Sequence, residues 1–251
     1  MSRRPQMGGM SFQFPPLSLS AKVILGVNAA VWAVMLILYY FAPESAATIA
    51  QLAFLDPTKV THGYLFQLAT YMFFHDLNSP FHIVMNMLLV YFFAAPLDAV
   101  WGPKKTLWFA FGAGIAGGVM IMLFHFASLA FGFGPGNPTL GFSGAALGML
   151  AAFCLLHAEA QILLFFVIPI KAKFIIPLTI GIDFLVWVTP SSDISFPAHL
   201  GGIAFGWFMF GGSWAPQGLI RRLKYRKHKR WVDNRDKQQQ KENVLKGPWL
   251  H

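Results

Sequence analysis

Three short stretches of the chain hold the side chains that could do chemistry. In Gly141-Phe142-Ser143-Gly144 a hydroxyl follows the breaker-rich loop FGFGPGNPTL at 131–140. Those glycines and prolines delay a helix until about Ser143. The hydroxyl then sits in a first turn, where backbone N–H groups have no intrahelical partner and the dipole favours negative charge. A tetrahedral oxyanion would be stabilised there, although a serine that only caps the helix would occupy the same place. The second stretch, Ala198-His199-Leu200-Gly201-Gly202, offers an imidazole. A serine needs such a base, because its free hydroxyl is a poor nucleophile at neutral pH; the plain alternative is a histidine bonded to a carbonyl between helices. The third, His82-Ile83-Val84-Met85-Asn86, puts two N–H donors on one helical face at i, i+4. Together with the Ser143 N–H they could form an oxyanion hole, or they could merely bond neighbouring helices.

Glycines flank these groups at helical spacing. Gly144 and Gly148 form one small-residue face, and Gly202 and Gly206 lie at i+3 and i+7 from His199 on another. Such faces let backbones approach closely, and packed together they would bring the His199 imidazole to Ser143. A side chain at Gly202 should push the helices apart. Gly201 points elsewhere and should tolerate Ala better.

The elements that must position these groups are membrane helices. Of 251 residues, 56% are hydrophobic and only 12% charged, with a mean hydropathy of +0.54; a soluble domain carries roughly a quarter charged residues. Apolar runs fall at about 23–42, 82–101, 106–131, 143–157, 174–188 and 197–214. The expected fold is therefore an all-α polytopic membrane protein with a six-transmembrane-helix bundle. The fourth run is short, and 158–170 extends it or folds back at the surface. Residues 1–20 read as a flexible cytoplasmic start without the pattern of a secretory signal, 21–214 as the membrane domain, and 215–251 as a cytoplasmic tail. Cys154 is the only cysteine and cannot pair within the chain.

The net charge of +9 is concentrated at one end. Residues 221–246 hold eleven Lys/Arg and three Asp/Glu, a net of +8. That tail suits anionic lipid better than nucleic acid, which is not an expected partner. Eighteen of the nineteen Lys/Arg lie in the N-terminal segment, the loops after runs two and four, and the tail; Lys59 is the exception. Both termini should therefore be cytoplasmic. Runs two, four and six then start at the outer face, so His82, Asn86, Ser143 and His199 share one depth. Polar groups in a bilayer mark a functional site by default.

GxSGxxxG opening one membrane helix, His-x-x-x-Asn in an earlier one and Ala-His-x-x-Gly-x-x-x-Gly in the last closely resemble the rhomboid intramembrane serine proteases. The likeness covers roughly 20–214 and extends to Pro169-Ile170-Lys171-Ala172-Lys173. It implies a catalytic Ser143–His199 dyad, oxyanion support by His82 and Asn86, and transmembrane proteins as substrates. It also implies a water-filled cavity open to the outside and, as a home, a bacterial inner membrane. Three positions depart from the family pattern. Phe66-Gln67 stands where a Trp-Arg pair is frequent, Leu147 where an aromatic often stacks on the histidine, and Ala94 with Asp98 where Gly and Glu are frequent.

Other candidates lead elsewhere. Asp183 could pass for a third member beside the serine and histidine; because the family works as a dyad, it reads as an interior hydrogen-bonding acid. His62, His75, His125 and His157 lack mutual metal-ligand spacing, and His157-Ala158-Glu159 is not the HExxH of zinc proteases. A solitary Asp183 cannot form an aspartyl dyad. No metal or cofactor is expected. The rival reading is a non-catalytic rhomboid-like protein that binds membrane helices; without an inverted repeat, a transporter is disfavoured.

Overall fold

The computed structural model describes residues 16–210 except 133, 135, 165–166 and 190–194. Most of the polar start and the whole basic tail lie outside the described residues. Each apolar run becomes one helix: α1 (Leu19–Phe41), α5 (Pro80–Trp101), α6 (Pro103–Ala130), α7 (Ser143–Leu156), α8 (Ala172–Trp187) and α9 (Phe196–Phe210). Between α1 and α5 the chain forms three short helices, α2 (Pro43–Ala53), α3 (Pro57–Thr61) and α4 (Gln67–Thr70), and a 3₁₀ turn at Tyr71–Phe73. Residues after α7 do not extend it but fold back: β1 (Gln161–Leu164) and β2 (Ile168–Lys171) pair as an antiparallel hairpin. Glu159 closes its base by accepting from Lys173 at 2.6 Å and Lys171 at 2.9 Å, and these hydrogen bonds lower its pKa to about 2.

Local chemistry sets the boundaries. Proline occupies the first position of α2, α3, α5 and α6, where its missing N–H costs nothing and its fixed φ suits the helix. Ser18 caps α1, so this helix starts before the apolar run itself. Asp56 caps α3 by accepting from the Thr58 and Lys59 N–H groups. Gly102, at φ 80°, joins α5 to α6.

By length and composition α1, α5 and α6 can each cross a membrane, with mean hydropathies of 2.1, 1.9 and 2.0. α7 and α9 are shorter apolar helices. The core sits around α7, ten of whose fourteen residues are buried, packed between α5, α6 and α9. Large apolar side chains such as Tyr40, Phe41, Trp108 and Phe131 remain exposed around this core, as a lipid-facing surface requires.

The glycine faces meet. A Cβ at Gly144 would lie 2.9 Å from the Ala198 carbonyl oxygen, and one at Gly148 would lie 2.9 Å from that of Gly202. A Cβ at Gly206 would lie 2.8 Å from the Gly148 oxygen, and one at Gly202 would overlap the Gly144 carbonyl outright. The contacts climb both helices together, so α7 and α9 run parallel and their N-termini share one end. Gly201 corrects the expectation of tolerance. It does face away from α7, but it presses on α6, where an added Cβ would sit 2.5 Å from the Ala116 oxygen and 2.8 Å from the Gly117 Cα. Helix α9 is wedged between two neighbours, and each of its paired glycines serves one of them.

Gly202→Val and Gly201→Ala should therefore both lower thermal stability, each by about 1–3 kcal/mol or more, as overpacking does. Gly26→Ala, in α1 with nothing within 4 Å of the new Cβ, should leave the melting temperature unchanged or raised. Thermal unfolding of the purified variants checks the contrast.

Candidate active site

Ser143 is the first residue of α7, not its cap; Phe142 takes that position and makes no side-chain cap bond. The hydroxyl is thereby free to face α9. The Ser143 Oγ lies 2.7 Å from the His199 Nε2, in the first turn of α9. On the far side of the ring, Nδ1 lies 2.8 Å from the Asp183 Oδ2 of α8. A carboxylate can only accept, so Nδ1 carries the proton, and Nε2 is left to accept from the serine hydroxyl. His199 and Asp183 side chains are each 13% exposed.

His82 and Asn86 flank the serine from α5. Gly141 has φ 120°, a left-handed conformation that favours glycine. A Cβ there would lie 2.7 Å from the His82 Nε2 and 3.8 Å from the Asn86 Nδ2. Both donors thus face the peptide two residues before Ser143. Asn86 is 4% exposed, and its Nδ2 has no hydrogen-bond partner among the described residues. Leaving such a donor unpaired costs about 1–3 kcal/mol, a cost that an incoming oxyanion would relieve.

The loop that delivers Ser143 is pinned from the α1–α5 segment. Leu55 and Thr139 exchange both backbone hydrogen bonds, at 2.9 and 2.8 Å, and the Gly141 N–H donates to the Tyr71 carbonyl at 3.1 Å. Tyr71 is fully buried and its hydroxyl donates to the Gly114 carbonyl of α6 at 2.8 Å. Gln67, also fully buried, holds the segment's own shape. Its Oε1 accepts from the Asp56 N–H at 3.0 Å, and its Nε2 donates to the Leu52 carbonyl at 2.9 Å. At the other end of α5, the Asp98 carboxylate accepts from the Ser20 N–H and hydroxyl, at 3.2 and 2.7 Å.

The geometry brings Ser143, His199, His82 and Asn86 together, with Gly144, Gly148, Gly202 and Gly206 at the seam that joins their helices. Two neighbours carried weaker signals. Asp183 is indeed a hydrogen-bonding interior acid, but its partner is His199; only its charge inside an apolar run marked it. His75 stands 5.2 Å from His82, ring to ring, and its Nε2 accepts from the Phe142 N–H at a long 3.5 Å. Seven residues before His82 across a turn, it has no periodic relation that would have linked the two. His62, His125 and His157 contribute nothing to this cluster. Among the described residues no group of three or more His, Cys, Asp or Glu is arranged to hold a metal.

His75 lies before α5 and is 4% exposed. Burial, with His82 adding to it, lowers its pKa from 6.5 to about 4. The folded state thus binds fewer protons there than the unfolded chain between these values, so stability falls as pH drops through this window. In His75→Gln the slope of melting temperature against pH between about 4 and 6.5 should flatten; an unchanged slope would mean that other groups set it.

Residues 62–213 match the family model for the rhomboid domain. Over 153 residues the chain is 35% identical to the protein named RHOMBOID-like protein 12, mitochondrial, of Arabidopsis thaliana. The match covers 57% of this chain and 44% of that protein, so the chain spans less than half the length of this curated relative.

Proposed function

The chain belongs to the rhomboid family, and we propose that it is an active serine protease of that family, cutting peptide bonds in or near transmembrane segments. The observation that carries this reading is the 2.7 Å contact of Ser143 Oγ with His199 Nε2 at the N-terminus of a buried helix. Ser143 attacks the scissile carbonyl while His199 takes its proton. The same imidazole then returns the proton to the leaving amine, and water releases the acyl-enzyme. The oxyanion is held by the Ser143 N–H, His82 and Asn86; the unpaired Asn86 Nδ2 supports this role. A non-catalytic helix binder has no need of a serine hydroxyl bonded to an imidazole.

The reading extends to the membrane. Helices α1, α5, α6, α7, α8 and α9 form six spans, with both termini on the cytoplasmic side by the Lys/Arg distribution. Helix α7, at about 1.5 Å per residue, is too short to cross ~30 Å of hydrocarbon. Its N-terminus therefore lies below the outer surface, and the site is reached through a water-filled opening on that side. Substrates are transmembrane proteins. The membrane is the bacterial inner membrane or, in line with the relative's name, that of an organelle, and the basic tail rests on anionic lipid.

Ser143→Ala and His199→Ala should each abolish cleavage of a reporter membrane segment by purified protein and labelling by a fluorophosphonate probe, with unfolding temperature little changed. Turnover retained in either variant would sink the mechanism. Asn86→Ala should lower kcat by about 10²–10³, as loss of one oxyanion donor does elsewhere, yet leave measurable activity. A wild-type kcat in both Asn86→Ala and His82→Ala would reduce these side chains to packing.

A further inference from the structure

We infer that Asp183 is a positioning residue that turns the Ser143–His199 pair into a working triad, an inference that rests on the hydrolase reading above. The three groups stand in line. The serine hydroxyl, both ring nitrogens and one carboxylate oxygen are joined by contacts of 2.7 and 2.8 Å, supplied by the three helices α7, α8 and α9. A neutral imidazole has one N–H, and which nitrogen bears it is set by what the other ring nitrogen meets. Without an acceptor at Nδ1 the proton could equally sit on Nε2, where it would face the serine and block general-base catalysis. Asp183 removes that ambiguity.

Leu147, one turn after Ser143, is aliphatic and offers the imidazole no aromatic face. Ring orientation therefore rests on its two hydrogen bonds, to Ser143 on one side and to Asp183 on the other. The carboxylate in turn is held by the position of α8, whose buried residues, Ala172, Ile175 and Ile176, all lie in its first half. Its second half is fixed to α9 by aromatic contacts. Phe184 and Trp187 lie 5.6 and 5.5 Å from the Phe196 ring, and Trp187 lies 6.1 Å from Phe124 of α6. These contacts join the part of α8 just after Asp183 to the start of α9, next to the 2.8 Å bond of the acid to the ring.

In the reaction, the Ser143 hydroxyl proton passes to Nε2 as the Oγ–carbon bond forms, and the ring becomes an imidazolium. Asp183 stays ionised and keeps accepting from Nδ1–H, stabilising that cation. The Nε2 proton then leaves with the amine, the carbon–nitrogen bond breaks, and the neutral ring is restored. Asp183 gains and loses no proton. Its contribution is to tautomer, orientation and charge.

The test compares full-length Asp183→Asn and Asp183→Glu with wild type in detergent, measuring kcat and KM on a reporter membrane segment, the rate of fluorophosphonate labelling, and thermal unfolding. In soluble hydrolases with the same order of groups, changing the acid to its amide lowers kcat about 10⁴-fold by favouring the wrong tautomer. Here Asp183→Asn should lower kcat and the labelling rate by at least about 10²-fold, with KM and unfolding temperature near wild type. Asp183→Glu, which keeps the carboxylate, should recover activity above the amide. If Asp183→Asn does not fold, Asp183→Ser takes its place in the comparison. Wild-type rates in the amide variant, or an amide as active as the glutamate, overturn the triad while leaving the Ser–His hydrolase intact. A wild-type protein that neither cleaves nor labels overturns the hydrolase itself, and the triad with it.

Discussion

The close passage of α7 and α9 is the contact on which the rest of the molecule depends. In lipid no hydrophobic force draws two helices together, and association relies on packing and hydrogen bonds. Here the packing is backbone against backbone: carbonyl oxygens of Ala198 and Gly202 lie where any side chain at Gly144 or Gly148 would begin. Because the two helices run parallel, closeness anywhere along the seam becomes closeness of their N-termini. The serine and the histidine sit at those two ends. A hydroxyl-to-imidazole bond of 2.7 Å is thus the terminal consequence of four absent side chains. Gly201 and Gly117, on the seam with α6, keep α9 from backing away.

The second requirement is a loop that reaches Ser143 in one conformation. Polar backbone in a membrane must find partners inside the protein, and the α6–α7 loop finds them in the segment after α1, through Leu55 and Tyr71. That segment is itself shaped by Gln67. An uncharged amide accepts from one backbone N–H and donates to backbone carbonyls, whereas an arginine could only donate. The stability these bonds contribute offsets the unpaired Asn86 donor beside Gly141.

The positions that depart from the family pattern fall into place by contact. Gln67 bonds the loop, and Asp98 holds the start of α1. Leu147 leaves the ring without an aromatic neighbour one turn below the serine, and Asp183 meets the same ring from α8.

Much of this was legible in the chain alone. Apolar runs delimit six helices to within a few residues. The i, i+4 and i, i+7 spacings of His82, Asn86, Gly202 and Gly206 assign faces without coordinates, while the exact starts at Pro80 and Pro103 and the turn at Gly102 come from the fold. Spacing within one helix, however, says nothing about which neighbour a face will touch. Gly201 looked free because its position on α9 was known while α6 was not. For the stretch after α7 the chain left extension and folding back both open, because a hairpin is decided by strand pairing, which hydropathy does not show. The chain offers Asp183 as a third member beside the serine and histidine but cannot place it against His199, and it gives no sign that His75 neighbours His82. Their partners stand 16 and 7 residues away across a turn or a helix end, where no periodicity operates. What decided them was the packing of α8 on α9 and the fold of the first loop, which are properties of three-dimensional contact.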